Sequence, residues 1–383
     1  MNTCLRLIAI VTLSVLLNRS TFAQPDGQQA HADIDGSKVD VRLVKTVDRP
    51  NDFDSWLGQV TETNRVVLSS DSKFEAIDSL DVGDEAIDDA KLCLDGLKWL
   101  PGKFPVQLQV ARKDCGDWLV RFPSSRPSGN ALNDEVAMEW YQVKDKSGQP
   151  IAAPAAVIIH ESGSGMTVGR VIAKALRSKG IHTFMMQLPY YGVRRGPGGR
   201  PKDLNLVGAL QQGIADARRA KDAVSVIPTV DTTRISLQGT SLGGFVTATT
   251  AGLDQAYHRV IVFLAGGDLY SVLMEGNKES AQVREELTKS GMSESEVRIM
   301  LSSIEPLRIA HRVDPSRTWL FSALYDDVVP PRNSKLFAAA AHLESNHHME
   351  MQANHYSGII FLPMVTQQMA EIMSESSKSL GDQ

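Results

Sequence analysis

Arg234-Ile235-Ser236-Leu237-Gln238 runs directly into Gly239-Thr240-Ser241-Leu242-Gly243, and Gly244 to Ala251 continues in small and apolar residues able to form a helix. A serine on a sharp strand-to-helix turn sits in strained backbone, so the positions two before and two after it must be small. Gly239 and Gly243 occupy both, which makes Ser241 a candidate nucleophile. The pentapeptide alone carries little weight, since Gly-x-Ser-x-Gly arises by chance in a chain this long roughly one time in six at ordinary Gly and Ser usage. An acid and a histidine further along the chain give it weight.

Thr318-Trp319-Leu320-Phe321-Ser322 has the pattern of a buried strand and leads into Ala323-Leu324-Tyr325-Asp326-Asp327-Val328-Val329-Pro330, where Asp326 and its neighbour Asp327 are both candidate acids. Met349-Glu350-Met351 alternates as a short last strand, and beyond it come Asn354-His355-Tyr356-Ser357-Gly358 and an apolar-periodic helix from about 359 to 373. His355 lies in the loop past that strand and is the candidate base. His347 and His348 lie before or within the strand and are minor alternatives.

Between these points strands alternate with helices. Ala155 to Ile159 is an apolar run; Val168, Val171, Ile172, Ala175 and Leu176 recur at helical spacing and stop at Gly180; Thr183 to Leu188 is a strand ended by Pro189. Leu206, Leu210, Ile214 and Ala217 give a further amphipathic helix, and Val260 to Leu264 a further buried strand. This alternation predicts a parallel sheet. Upstream, Val106–Val110, Trp118–Phe122 and Val136–Val143 read as antiparallel edge strands, and residues 267–315 form a charged, mostly helical insertion between two strands.

Serine, acid and histidine in that order, each at a strand end, resemble the α/β-hydrolase superfamily over roughly Phe104 to Ser374. The resemblance implies an α/β-hydrolase fold: a mostly parallel, doubly wound sheet with antiparallel N-terminal strands, a domain at 101–376, and a helical lid at about 267–315. It implies a serine hydrolase with Ser241, Asp326 and His355 as catalytic residues, because the superfamily's acid commonly stands four residues before a proline such as Pro330. In His160-Glu161-Ser162-Gly163-Ser164-Gly165 the superfamily often carries a His-Gly loop that supplies an oxyanion amide. Glu161 replaces that glycine, so either Glu161 or Ser162 presents the N–H. Ser162 is the expected one, beside the amide of Leu242. Pro189-Tyr190-Tyr191-Gly192-Val193-Arg194-Arg195 is similar to a stretch in one branch of these hydrolases; Tyr190, Tyr191 and Arg194 are expected to bind a substrate with an anionic or sugar-like portion. The implied reaction is hydrolysis of a small-molecule carboxylic ester through an acyl-enzyme. An amide-cleaving oligopeptidase and a catalytically silent binding module are the alternatives.

Arg6, the apolar run Leu7 to Leu17 and Thr21-Phe22-Ala23 read as a secretory signal over residues 1–23, which predicts a secreted or periplasmic protein with no membrane span after cleavage. Residues 24–100 read as a partly ordered acidic extension whose carboxylates are solvated, with no calcium-loop spacing. No metal site and no cofactor is expected. The formal charge of −5 and the lack of a basic, aromatic-interleaved stripe argue against nucleic acid as a partner. Cys4 leaves with the signal, and Cys93 and Cys115 remain, either bonded in an oxidising compartment or as separate buried thiols.

Overall fold

The computed structural model describes residues 39–42, 65–201 and 204–375; the expected signal at 1–23 lies outside them. Short strands β1 (Val39–Arg42) and β2 (Arg65–Leu68) pair antiparallel with each other. The other strands are β3 (Lys73–Ile77), β4 (Lys103–Val110), β5 (Trp118–Pro123), β6 (Glu135–Tyr141), β7 (Ala153–Ile159), β8 (His182–Gln187), β9 (Val230–Thr240), β10 (Val260–Phe263), β11 (Thr318–Ala323) and β12 (His348–Met351). They form one ten-stranded sheet in the order β12-β11-β10-β9-β7-β8-β6-β5-β4-β3. From β8 through β12 all neighbours are parallel, and from β6 outward all are antiparallel. Strands β7, β8, β10 and β11 are buried on both faces, which explains their near-continuous apolar runs.

Register places the site. Thr240 lies beside Phe263, Phe263 beside Phe321, and Ala323 beside Met351. The carboxyl ends of β9, β11 and β12 therefore finish at one edge, so their outgoing loops meet there, where open α/β sheets bind ligands.

Helices pack on the sheet in pairs: Thr167–Arg177 against Leu362–Ser374, and Leu206–Ser225 against Leu242–Asp254. The helix Leu206–Ser225 starts where the Asn205 side chain accepts from the Gly208 amide, and it buries Ile214 and Ala217 as its periodicity predicts. It also buries a charged face. Arg218 pairs with Asp222 and Asp254, and Arg219 with Asp78 at 2.5 Å.

Those pairs hold residues 68–100 to the body of the protein. Strand β3 pairs with β4, Ser79 Oγ donates to Asp222, and Arg312 binds Glu85. The helix Asp88–Asp95 buries Ala90, Cys93 and Leu94. The expected boundary between 100 and 101 thus falls inside continuous packing, and Asp78 and Glu85 are paired rather than solvated.

The insertion after β10 consists of helices Leu269–Glu275, Glu279–Ser290 and Glu294–Ser302, the last opened by a Ser293/Glu296 capping box. It has an apolar cluster of its own, Leu273 and Val297 with Tyr270, Met274, Val283, Met292 and Met300 around them.

Cys93 and Cys115 are unbonded. Cys93 faces the Ser303 carbonyl from the core, where burial pushes its thiol up to about 12, whereas Cys115 faces Arg170 at 3.5 Å. A disulfide between them is not formed because the fold turns the two thiols toward different neighbours. Denatured, unreduced protein lacking residues 1–23 is expected to titrate two thiols; none would mean that the bridge forms. Arg219→Ala strands Asp78, whose side chain is fully buried, and should cost about 3–5 kcal/mol. A urea-unfolding difference below about 1 kcal/mol, the range of exposed pairs, would show that the pair does not tie the N-terminal segment down.

Candidate active site

Strand β9 ends at Thr240, and Ser241 takes φ 53° and ψ −115° before the helix Leu242–Asp254 begins. A non-glycine residue with positive φ is strained, and a tightly packed turn is what maintains it. The Ser241 amide donates to the Phe263 carbonyl at 2.8 Å. A Cβ at Gly239 would lie 2.1 Å from the Gly243 carbonyl oxygen, and one at Gly243 would lie 2.3 Å from the Ile159 oxygen and 2.6 Å from that of His160. Only glycine fits either position.

The loop after β11 brings Asp326 to this turn. One carboxylate oxygen accepts from the amides of Val328 and Val329 at 2.9 and 2.8 Å; the other meets His355 Nδ1 at 2.7 Å. His355 Nε2 lies 2.9 Å from Ser241 Oγ. The Asn354 side chain accepts from the amides of Tyr356 and Ser357, which closes a local turn around the histidine. The other candidates lie elsewhere. Asp327 is exposed, its carbonyl accepting from Asn277; His347 Nδ1 meets the Pro315 carbonyl, and His348 meets Ser322 Oγ. The order serine–histidine–carboxylate gives a hydroxyl, a proton acceptor and a buried group that fixes the acceptor's tautomer.

The loop after β7 is pinned at three points. His160 is fully buried, and burial pulls its imidazole down to about 3, so it is neutral; Nδ1 lies 2.5 Å from the Glu161 carbonyl, and Nε2 accepts from the Leu188 amide. The Glu161 carboxylate accepts from Val168 and Gly169 at 3.1 and 3.0 Å, satisfying amides left open at the start of the helix Thr167–Arg177. Tyr191 Oη donates to the Ser162 carbonyl at 2.8 Å. In a trans peptide the N–H points opposite to the C=O. The Ser162 amide therefore points away from His160. The Leu242 amide opens the first turn of its helix and has no partner within that helix.

Tyr190 and Tyr191 are both buried; the Tyr190 amide donates to Asn133, and Tyr191 packs edge-on against His160 with ring centroids 4.6 Å apart. Tyr191 touches the loop after β7, while Arg194 is turned into the protein. It is fully buried, paired with Asp216 at 2.8 Å, and it donates to the carbonyls of Asn133 and Gln187. All three guanidinium nitrogens are thus occupied inside the protein, and none is left for a ligand.

The insertion reaches the site from the other side. Val272 packs with Val328, Val329 and Phe245, and Lys278 Nζ lies 3.8 Å over the ring of Tyr356, the residue after His355. Sequence reading missed the roles of His160 and Glu161, although the replacement of glycine by Glu161 shortly before a helix start was the available signal. Among the described residues no group of three or more His, Cys, Asp or Glu side chains is placed to hold a metal ion, and no helix is long and apolar enough to cross a membrane.

Residues 211–370, which carry Ser241, Asp326 and His355, match the family model of acetyl xylan esterase (AXE1). No curated protein matches the chain. Among solved structures, the acetyl xylan esterase from Paenibacillus sp. R4 is similar, with 19% identity and TM-score 0.52 over 74% of this chain and 92% of that one. Acetyl xylan esterase 1 from Thermoanaerobacterium sp. JW/SL YS485 is also similar, with 18% identity and TM-score 0.50 over 75% and 93%. Its strand order, its helices and these likenesses together show that the chain has the α/β-hydrolase fold.

Proposed function

We propose that the protein is an exported esterase that removes short acyl groups, of acetyl size, from a hydroxylated small molecule by a Ser241–His355–Asp326 mechanism. The observation that carries this reading is the unbroken hydrogen-bond chain from Ser241 Oγ through His355 to Asp326. The acetyl preference is supported by the family match over the segment that holds all three residues. Export is supported by the signal pattern at 1–23.

As Ser241 Oγ attacks the ester carbonyl carbon, His355 Nε2 takes the hydroxyl proton, and Asp326 stabilises the imidazolium that forms. The negative charge on the carbonyl oxygen is received by the amides of Leu242 and Ser162. Collapse breaks the bond to the alcohol oxygen, which leaves with the proton from His355. Water, deprotonated by His355, then attacks the acyl-enzyme, and the carboxylic acid departs as Ser241 recovers its proton. Helices 269–275 and 279–290 act as a lid that excludes bulk water; the contacts of Val272 and Lys278 beside the acid and histidine loops support that role.

A fluorophosphonate probe is expected to label the wild type and not Ser241→Ala, with hydrolysis of para-nitrophenyl acetate falling by roughly 10³-fold or more in the variant. Turnover should decline from acetate to octanoate. Full activity in Ser241→Ala would overturn the mechanism, and equal rates on octanoate the acetyl preference. Glu161→Ala frees the loop that presents the Ser162 amide, and kcat should fall by up to about 10²-fold with little change in KM. An unchanged kcat would show that Glu161 serves the helix alone.

A further inference from the structure

Several of the protein's arginines are neutralised by its own carboxylates. Arg194 meets Asp216, Arg170 meets Glu139, Arg121 meets Glu135 and Arg218 meets Asp222 and Asp254. The loop 195–200, Arg195-Gly196-Pro197-Gly198-Gly199-Arg200, differs. Among the described residues neither of its arginines has a carboxylate partner. Gly199 takes φ +86°, and a Cβ there would lie 3.2 Å from Arg195 Nη2, so the Arg195 side chain folds back along the loop toward Arg200. The Arg200 guanidinium lies 4.1 Å over the Tyr191 ring, whose hydroxyl holds the Ser162 carbonyl.

Two like charges in one short loop repel each other, and a single cation–π contact offsets this for Arg200 alone. Glu161, next to Ser162 in the chain, gives both carboxylate oxygens to backbone amides. We propose that Arg195 and Arg200 form an anion-reading subsite beside the oxyanion loop, and that the ester cleaved here carries a carboxylate. The second half rests on the esterase reading. The Arg200 guanidinium rests on the Tyr191 ring and reaches that residue's hydroxyl, which leaves further N–H groups of Arg200 and those of the exposed Arg195 to meet a carboxylate. In a chain of formal charge −5 the pair is also a local focus for steering an anionic substrate.

The test compares the full chain with its Arg195→Gln/Arg200→Gln double variant on para-acetoxybenzoate and on its methyl ester, which differ only in the carboxylate. The wild type should prefer the acid, and the ratio of the two kcat/KM values should fall about tenfold in the double variant, the size of a lost charge-assisted hydrogen bond. Added salt should shrink the preference in the wild type. A wild type indifferent to the carboxylate, or a ratio unchanged in the variant, overturns the subsite. Calorimetric titration with para-acetamidobenzoate, which an esterase does not cleave, separates this from the reaction assignment. Binding weakened in the double variant supports the subsite even if neither ester turns over, and absence of binding to the wild type overturns it even if both do.

Discussion

The chemistry depends on the close approach of Gly243 to the end of β7, where a single added carbon would overlap the carbonyl oxygens of Ile159 and His160. That contact seats the start of the helix Leu242–Asp254 directly against the end of β7 and its outgoing loop, the parts proposed to hold the nucleophile and the oxyanion. It fixes the distance between the Leu242 amide and the His160–Ser162 segment before any ligand arrives. Ser241 is held in positive φ by the same packing and by the Phe263 carbonyl from the adjacent strand. Backbone strain of order 1–3 kcal/mol at such a residue persists only where the surroundings over-determine it, and here three strands do so.

The features legible in the chain were local. Ile235 to Gln238, Val260 to Leu264 and Thr318 to Ser322 are uninterrupted buried runs and each lies in a strand; the last two match within a residue at the ends, while the strand holding Ile235 begins earlier, at Val230, and passes through residues 231–234, which are partly buried or exposed. Ser241, Asp326 and His355 could be singled out as candidates because each follows a strand, the one before His355 short and only partly buried, and register brings the three strand ends to one edge. The features that escaped reading depend on partners distant in sequence. Nothing around Tyr191 shows that Arg194 meets Asp216, 22 positions later in a helix. Lys73–Ile77 alternates weakly, with Phe74 and Ala76 turned inward, and its acidic context masks a strand whose pairing depends on β4.

The charged groups around the helix Leu206–Ser225 show a second ordering principle. Arg218, Arg219, Asp222, Asp254 and Asp78 are nearly inaccessible to solvent and mutually bonded. Buried ion pairs are weak evidence for net stability, but removing one member leaves an isolated charge, so they are sensitive to register and partner. They select one docking of the 68–100 segment on the sheet where apolar contacts alone would tolerate sliding.

The helical insertion, built on Leu273, Val297 and the methionines around them, is joined to the main apolar core through few residues. Cooperative units in proteins track such divisions in packing, and their opening free energies range from near zero to the global value. Val272 packs on Phe245, in the helix that follows Ser241, and on Val328 and Val329 beside Asp326, so opening of the proposed lid is coupled to the loops around the strained serine turn. On the proposed reading, substrate entry and product departure draw on the same contacts that hold the candidate acid and serine loops in place.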